Sequence, residues 1–223
     1  MSHSATVKSF AKYTSCDVAD ALIKLDVPGG GFLPGLTLWS PHRQSGQTRI
    51  VGPAFTVKYS STSDGNATPK GGTGHFVDSV PSGAVILISC PENTINAYWG
   101  GLTTRRAQAL GAVGTVIDGR LRDLEELREL EYPVYARDVA PTPPHGALYV
   151  SEPVTISQDG QDIIIQPEDW VIGDLNGVVC VPKRLVERTL ELMRSLAETE
   201  KAMTAAIVNG ASMTEAAKLW RNS

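Results

Sequence analysis

At 223 residues, with 24 acidic against 20 basic side chains and a net charge of −4, the chain offers no electrostatic case for nucleic acid as a partner. Its hydrophobic fraction of 42% and charged fraction of 20% are ordinary for a globular protein able to bury a substantial core, and no apolar run approaches a membrane span. Three widely spaced cysteines, Cys16, Cys90 and Cys180, form neither a zinc pattern nor a disulfide framework, which points to a reducing compartment and a cytoplasmic location.

The start, Met-Ser-His-Ser-Ala-Thr, lacks the basic-then-apolar order of a secretion signal. Thr14 to Leu25 reads as an amphipathic helix: Val18, Leu22 and Leu25 share a face, and Ser15 and Asp17 are candidates for its start. Asp17 and Asp20, three apart on one side, have the spacing of paired acids, and more often such residues are a cap and a solvated position. Pro28-Gly-Gly-Gly31 breaks the helix. A short strand over Leu36 to Trp39 and a polar loop over His42 to Thr48 follow. Arg49 to Tyr59 alternates as a strand, with Gly52-Pro53 predicting an edge or a bulge.

Ser60 to Gly74 is dominated by Ser, Thr, Asp, Asn and Gly and reads as a loop near a site or a subunit contact. Lys70-Gly-Gly-Thr-Gly-His75 fails the phosphate-loop test, because no Gly-Lys-Ser/Thr stands at the required spacing. No Gly-x-Gly-x-x-Gly follows a strand, which disfavours a dinucleotide site. His75 reads as a helix or loop residue rather than a base or ligand. Val80-Pro-Ser-Gly83 is a turn, and Ala84 to Ser89 is the best buried strand, ended by Cys90-Pro91.

Asn96 to Glu126 carries the most information. Gly100 and Gly101 predict a tight turn lying close to a ligand. Helix formers run from Leu102 to Leu110, Gly111 suits the C′ position, and Ala112 to Ile117 is a short buried strand. Asp118 to Asp123 are too polar to continue it. The first amides of a helix lack internal partners and, with the helix dipole, favour a small anion. Arg122 can grip a carboxylate through two parallel hydrogen bonds, and Asp123 can hold a hard divalent cation. A second reading stands beside this one: Asp123 and Glu126 have the spacing of a helix cap and its N3 partner, at the head of a helix from Leu124 to Leu130.

Beyond it, Tyr132 to Tyr135 reads as a strand entry and Pro141 to Pro144 as a connection. Short β signals at Val150, Val154, Ile156, Ile163 to Ile165, Val171 to Gly173 and Val178 to Val181 are divided by turns at Asp159-Gly160, Gly173-Asp174 and Asn176-Gly177. Pro182 has an N1-like position ahead of a long helix from Leu185 to Val208, whose wide apolar stripe serves the core or docks a neighbouring subunit. Thr214 to Trp220 is a short final helix. No linker divides the chain, so residues 1–223 read as one α/β unit.

The segment Trp99 to Asp123, Trp-Gly-Gly-Leu-Thr-Thr-Arg-Arg-Ala-Gln-Ala-Leu-Gly-Ala-Val-Gly-Thr-Val-Ile-Asp-Gly-Arg-Leu-Arg-Asp, resembles the signature of the family that contains the class II 4-hydroxy-4-methyl-2-oxoglutarate aldolases and the regulator of ribonuclease E activity. The resemblance runs from the Thr14–Leu22 segment to Pro182. It implies an α/β domain of the β/β/α swivelling type with a C-terminal helix, assembled as a homotrimer or a pair of trimers. It also implies a pyruvate-forming lyase acting on 2-oxo acids, by aldol cleavage or oxaloacetate decarboxylation, with Mg²⁺ or Mn²⁺. Carried over, Gly100, Gly101, Leu102 and Arg122 bind substrate, Asp123 helps hold the metal through water, and Arg122 and Asp123 are catalytic. Glu198 or Glu200 of an adjacent subunit lines the site. In the aldolase pattern an acid stands twenty-one positions before the arginine, where this chain has Gly101. That departure opens the alternative of a non-catalytic protein-binding regulator, or of a member redirected to another metabolite.

Overall fold

The computed structural model describes residues 2–60, 75–144, 147–158 and 161–221. In chain order its elements are α1 (His3–Phe10), α2 (Ser15–Lys24), β1 (Phe32–Leu33), β2 (Thr37–Ser40), β3 (Ile50–Ser60), β4 (Val85–Ser89), β5 (Ala97–Trp99), α3 (Gly101–Ala109), β6 (Gly114–Leu121), α4 (Leu124–Glu129), β7 (Val134–Val139), β8 (Ala147–Val150), β9 (Val154–Gln158), β10 (Gln161–Ile165), β11 (Trp170–Asp174), β12 (Gly177–Val181), α5 (Val186–Val208) and α6 (Met213–Arg221). One mixed sheet runs β1-β12-β11-β3-β4-β6-β7-β2, with β5 added to β6 and β8 to β3, while β9 and β10 form a separate hairpin. The middle strands β3, β4, β6 and β7 are parallel.

Alternation along β4 sets the layers. All five of its residues are buried, and successive side chains of a strand point to opposite faces. Val85 and Leu87 pack with Val154, Ile156 and Ile165 of the hairpin. Ile86 and Ile88 pack on the other face with Ala107 of α3 and Leu127 of α4. Hairpin, sheet and helices thus stack as β/β/α, the α/β arrangement expected. A third cluster seats the C-terminal helix: Leu190, Met193 and Leu196 of α5 lie against Ile172, Val179 and Val181 of the sheet and Leu22 of α2. Residues 200–208 of α5 are half-buried or exposed. Among the described residues no helix is long and apolar enough to cross a membrane.

The structure moves several predicted features. The strand expected to stop at Ile117 runs on to Leu121. Its polar end is tolerated because Asp118 pairs with Arg137 and Arg120 with Asp138 on the adjacent β7. Burial pushes the Asp118 carboxyl up, and Arg137 opposes the shift. Gly52-Pro53 marks neither an edge nor a bulge. It is where β3 ends its pairing with β11 and, from Ala54, begins to pair with β4, so the missing proline amide falls at the handover. Gly173-Asp174 is strand, not turn, and the β11–β12 hairpin turns at Leu175-Asn176, closed by the Asp174–Gly177 pair. Helix α1 carried no predicted element. Helix α2 is capped by Thr14 rather than by Ser15 or Asp17: Ser15 is its first helical residue, and Asp17 at N3 completes a reciprocal capping box with Thr14. The predicted loop over 61–74 and the turn at Asp159-Gly160 lie outside the described residues.

One buried carboxylate ties the two ends of the fold. Asp174, at the end of β11, accepts from the Ser15 amide and hydroxyl at 2.7 Å each and from the Asn176 amide at 2.9 Å. Burial pushes this carboxyl up, but the Ser15 and Asn176 hydrogen bonds outweigh it and hold the group below its ordinary 3.8. A depressed folded value adds stability above the unfolded value, which is lost as pH falls through the folded one. Asp174→Asn is therefore expected to lower stability at neutral pH by about 1–3 kcal/mol. The gap from the parent should narrow as pH falls below 3.8, as read by urea unfolding at stepped pH.

Candidate functional site

Strand β6 ends at Leu121, and the next two residues leave the sheet. The Arg122 amide donates to the Trp99 carbonyl at 2.9 Å, which stitches the turn to the end of β5, just ahead of the glycines. Asp123 then takes a left-handed backbone, φ +58°. Aspartate is one of the few non-glycine residues that visits this region readily.

That backbone decides which reading of Asp123 holds. It occupies the N-cap position of α4 but makes no side-chain cap there. Its Oδ2 instead accepts from the Gly101 amide, the first of α3, at 3.0 Å, and lies 3.4 Å from Arg122 Nε. Glu126 does not reach back to complete a capping box either. Its Oε1 accepts from Arg105 Nε at 2.7 Å, and its carboxylate lies over Gly101. The predicted capping box gives way because the positive end of α3, not α4, has captured the Asp123 carboxylate.

The glycine pair works differently from the predicted turn. Gly100 is extended, φ −162° and ψ −172°, and Gly101 is already helical. What both positions require is empty space. A Cβ on Gly100 would stand 2.6 Å from Asp123 Oδ2 and 3.1 Å from Arg122 Cγ, and one on Gly101 would overlap the Glu126 carboxylate.

Gly100, Gly101, Leu102, Arg122 and Asp123, all named from the sequence, line one pocket of about 200 Å³. Arg122 and Asp123 are 40% and 37% exposed, so each reaches both the protein and the solvent. The Gly101 amide, expected for substrate, is engaged by Asp123; Leu102, 83% exposed, carries the next amide of the first turn. Glu198 and Glu200 lie on α5 with exposed side chains and do not line this pocket. Two residues at or beside this pocket carried no site role in the sequence reading. Glu126 was assigned only a capping role, although its spacing from Asp123 puts both acids at one end of α4. His75 was assigned to a loop or helix, yet it lines the same pocket.

Among the described residues no three His, Cys, Asp or Glu side chains gather into a metal cluster. Two carboxylates do lie against Gly101: Asp123 on its amide, and Glu126, paired with Arg105 and outside the pocket lining, where a Cβ would stand. An all-oxygen pair suits Mg²⁺ or Mn²⁺, which bind through one or two carboxylates and keep several waters, and does not suit zinc.

Residues 15–180 match the family described as RraA-like: Aldolase/RraA. A crystal structure of an uncharacterized protein from Pseudomonas syringae pv. tomato is similar with a TM-score of 0.79 and 30% identity, covering 96% of this chain and 93% of that one. Protein DlpA of Legionella pneumophila is 28% identical over 203 residues, 91% of this chain. A Halalkalibacterium halodurans protein named "Putative 4-hydroxy-4-methyl-2-oxoglutarate aldolase" is 29% identical over 161 residues, 71% of this chain and 72% of that protein. The matches span 31% and 58% of the lengths of the first two curated relatives.

The left-handed turn separates backbone from carboxylate experimentally. Asp123→Asn keeps a residue tolerant of φ +58° and should unfold within about 0.5 kcal/mol of the parent, while Asp123→Ala should lose roughly 1–2 kcal/mol. Denaturant titration of the two variants checks this.

Proposed function

Because the chain belongs to the RraA-like (Aldolase/RraA) family, we propose that it is a divalent-metal-dependent lyase that breaks a carbon–carbon bond in a 2-oxo acid. The reaction is retro-aldol cleavage of 4-hydroxy-4-methyl-2-oxoglutarate type substrates, oxaloacetate decarboxylation, or both, since each leaves a pyruvate enolate. The observation that carries this reading is the Glu126 carboxylate lying where a side chain of residue 101 would stand. The departure at Gly101, which alone argued for a dead site, is thereby offset: the acid is present, supplied from α4. This weighs against the alternative of a non-catalytic, protein-binding regulator.

Asp123 and Glu126 would hold Mg²⁺ or Mn²⁺, which when bound supplies Lewis-acid polarisation of the keto oxygen. The chain's own residues do the rest. The Gly101 amide fixes the Asp123 carboxylate in place before any ligand arrives. Arg122, at the mouth of the pocket beside the α3 N-terminus, grips the substrate carboxylate and offsets the negative charge that develops as the bond breaks. The Leu102 amide and the α3 dipole add to that positive field.

The same reading extends to the assembly. At the pocket Arg122 and Asp123 are partly exposed and Leu102 is largely exposed. We take residues 1–223 as one unit in a cytoplasmic homo-oligomer, a trimer or a pair of trimers. Glu198 or Glu200 from a neighbouring copy would close the open side.

The test is pyruvate release from oxaloacetate and from 4-hydroxy-4-methyl-2-oxoglutarate, with and without Mg²⁺. Metal-dependent turnover of at least one is expected, and its absence on both removes the reading in favour of the regulator. Arg122→Ala should lower kcat/KM by about 10²–10³-fold. Glu126→Ala should raise the Mg²⁺ concentration needed for half-maximal turnover, and adding Gly101→Asp to it should restore part of the loss.

A further inference from the structure

His75 stands on the wall of the pocket that holds Gly101, Arg122 and Asp123. Two contacts orient its ring. It stacks on Phe76, with centroids 4.7 Å apart and planes inclined by 30°, and Phe76 in turn lies against Trp99, immediately before Gly100. The His75 Nδ1 also accepts from the Val77 amide at 3.3 Å, capping the helical turn at Phe76–Ser79. A nitrogen that accepts carries no hydrogen, so this hydrogen-bond pattern assigns the proton of the neutral ring to Nε2. His75 therefore presents an N–H donor, and no acceptor, on an exposed side chain at the pocket.

A donor of this kind cannot take a proton from a substrate hydroxyl. It can hold an oxygen anion. The positive groups for the 2-oxo acid end, Arg122 and the α3 N-terminus, belong to other elements of the pocket, which leaves the far end of the substrate for His75.

Resting on the lyase reading above, we propose that His75 is a specificity-determining residue whose Nε2–H binds the distal carboxylate of a 2-oxo diacid. The site then selects diacids over 2-oxo monoacids, and His75 contributes to binding the group that leaves rather than to the pyruvyl end.

Two conservative variants split this role from the structural one. His75→Asn places an oxygen where Nδ1 sits, so it keeps the cap on Val77 and loses the donor. His75→Gln reaches the Nε2 position with an amide N–H, so it keeps the donor and loses the cap. The readout is calorimetric binding, in the presence of Mg²⁺, of 2-oxoglutarate, a diacid with no β-carboxylate to lose, and of oxalate, which lacks a distal group. His75→Asn is expected to weaken 2-oxoglutarate by about tenfold or more and to leave oxalate within about twofold, while His75→Gln holds both near the parent. The inference is overturned if His75→Asn binds both ligands as the parent does, as it would were the donor Tyr59, which lines the same pocket, or if it weakens both equally. A parent that binds oxalate and 2-oxoglutarate without metal-dependent turnover ends the lyase reading, and the titrations still decide the role of His75. A parent that binds neither ends both.

Discussion

Two absent side chains govern the site. At Gly100 and Gly101 the backbone is bare, and Arg122 and Asp123 from the β6–α4 turn, with Glu126 from α4, close onto it. The first amide of α3 then donates to Asp123, so a carboxylate is held at the positive end of a helix that it does not belong to. A side chain at either glycine would displace groups now packed there, Asp123 and Arg122 in one case and the Glu126 carboxylate in the other. The glycines thus act through close approach, not through unusual backbone angles.

The sheet makes this approach reproducible. Strands β4, β6 and β7 are parallel and packed on both faces, so the end of β6 is fixed relative to α3. The polar stretch of β6 would be a poor strand on its own. It is held there by partners on β7, Arg137 for Asp118 and Asp138 for Arg120, which spread the charge over the adjacent strand. Arg122 and Asp123 consequently emerge two residues after a rigid element, and the amide of Arg122 is bonded back to β5. Placing reactive side chains on a short turn between rigid elements limits how far they stray from a working geometry.

The pocket also carries two kinds of partner for one ligand. Carboxylates at Gly101 suit a hard cation, while Arg122 and the helix N-terminus suit an anion. A 2-oxo acid joined to a divalent ion satisfies both at once, whereas either alone leaves one set of charges unmatched. This complementarity is what favours a lyase over a passive shell for this member of a family that bears both names, aldolase and RraA.

Periodicity and punctuation carried much of the fold: the helix from Ser15, the buried strand at Val85 to Ser89, the signature helix and the late β strands, though not their turns, follow from local pattern, because burial on one face writes itself into residue order. That Arg122 and Asp123 face a glycine pair was legible through the family resemblance, since α3 and β6 separate the two along the chain. Long-range partners were not. That Asp118 and Arg120 belong to a strand depends on β7, and that Asp123 leaves its own helix for another depends on a left-handed turn and on the free amide of Gly101. Glu126 could be seen as a site acid only once its carboxylate was found over Gly101, and His75 only once the sheet had brought it beside the same pocket. Residue order sets what each segment prefers; packing sets which charge meets which, since that choice is made between segments that no local pattern connects.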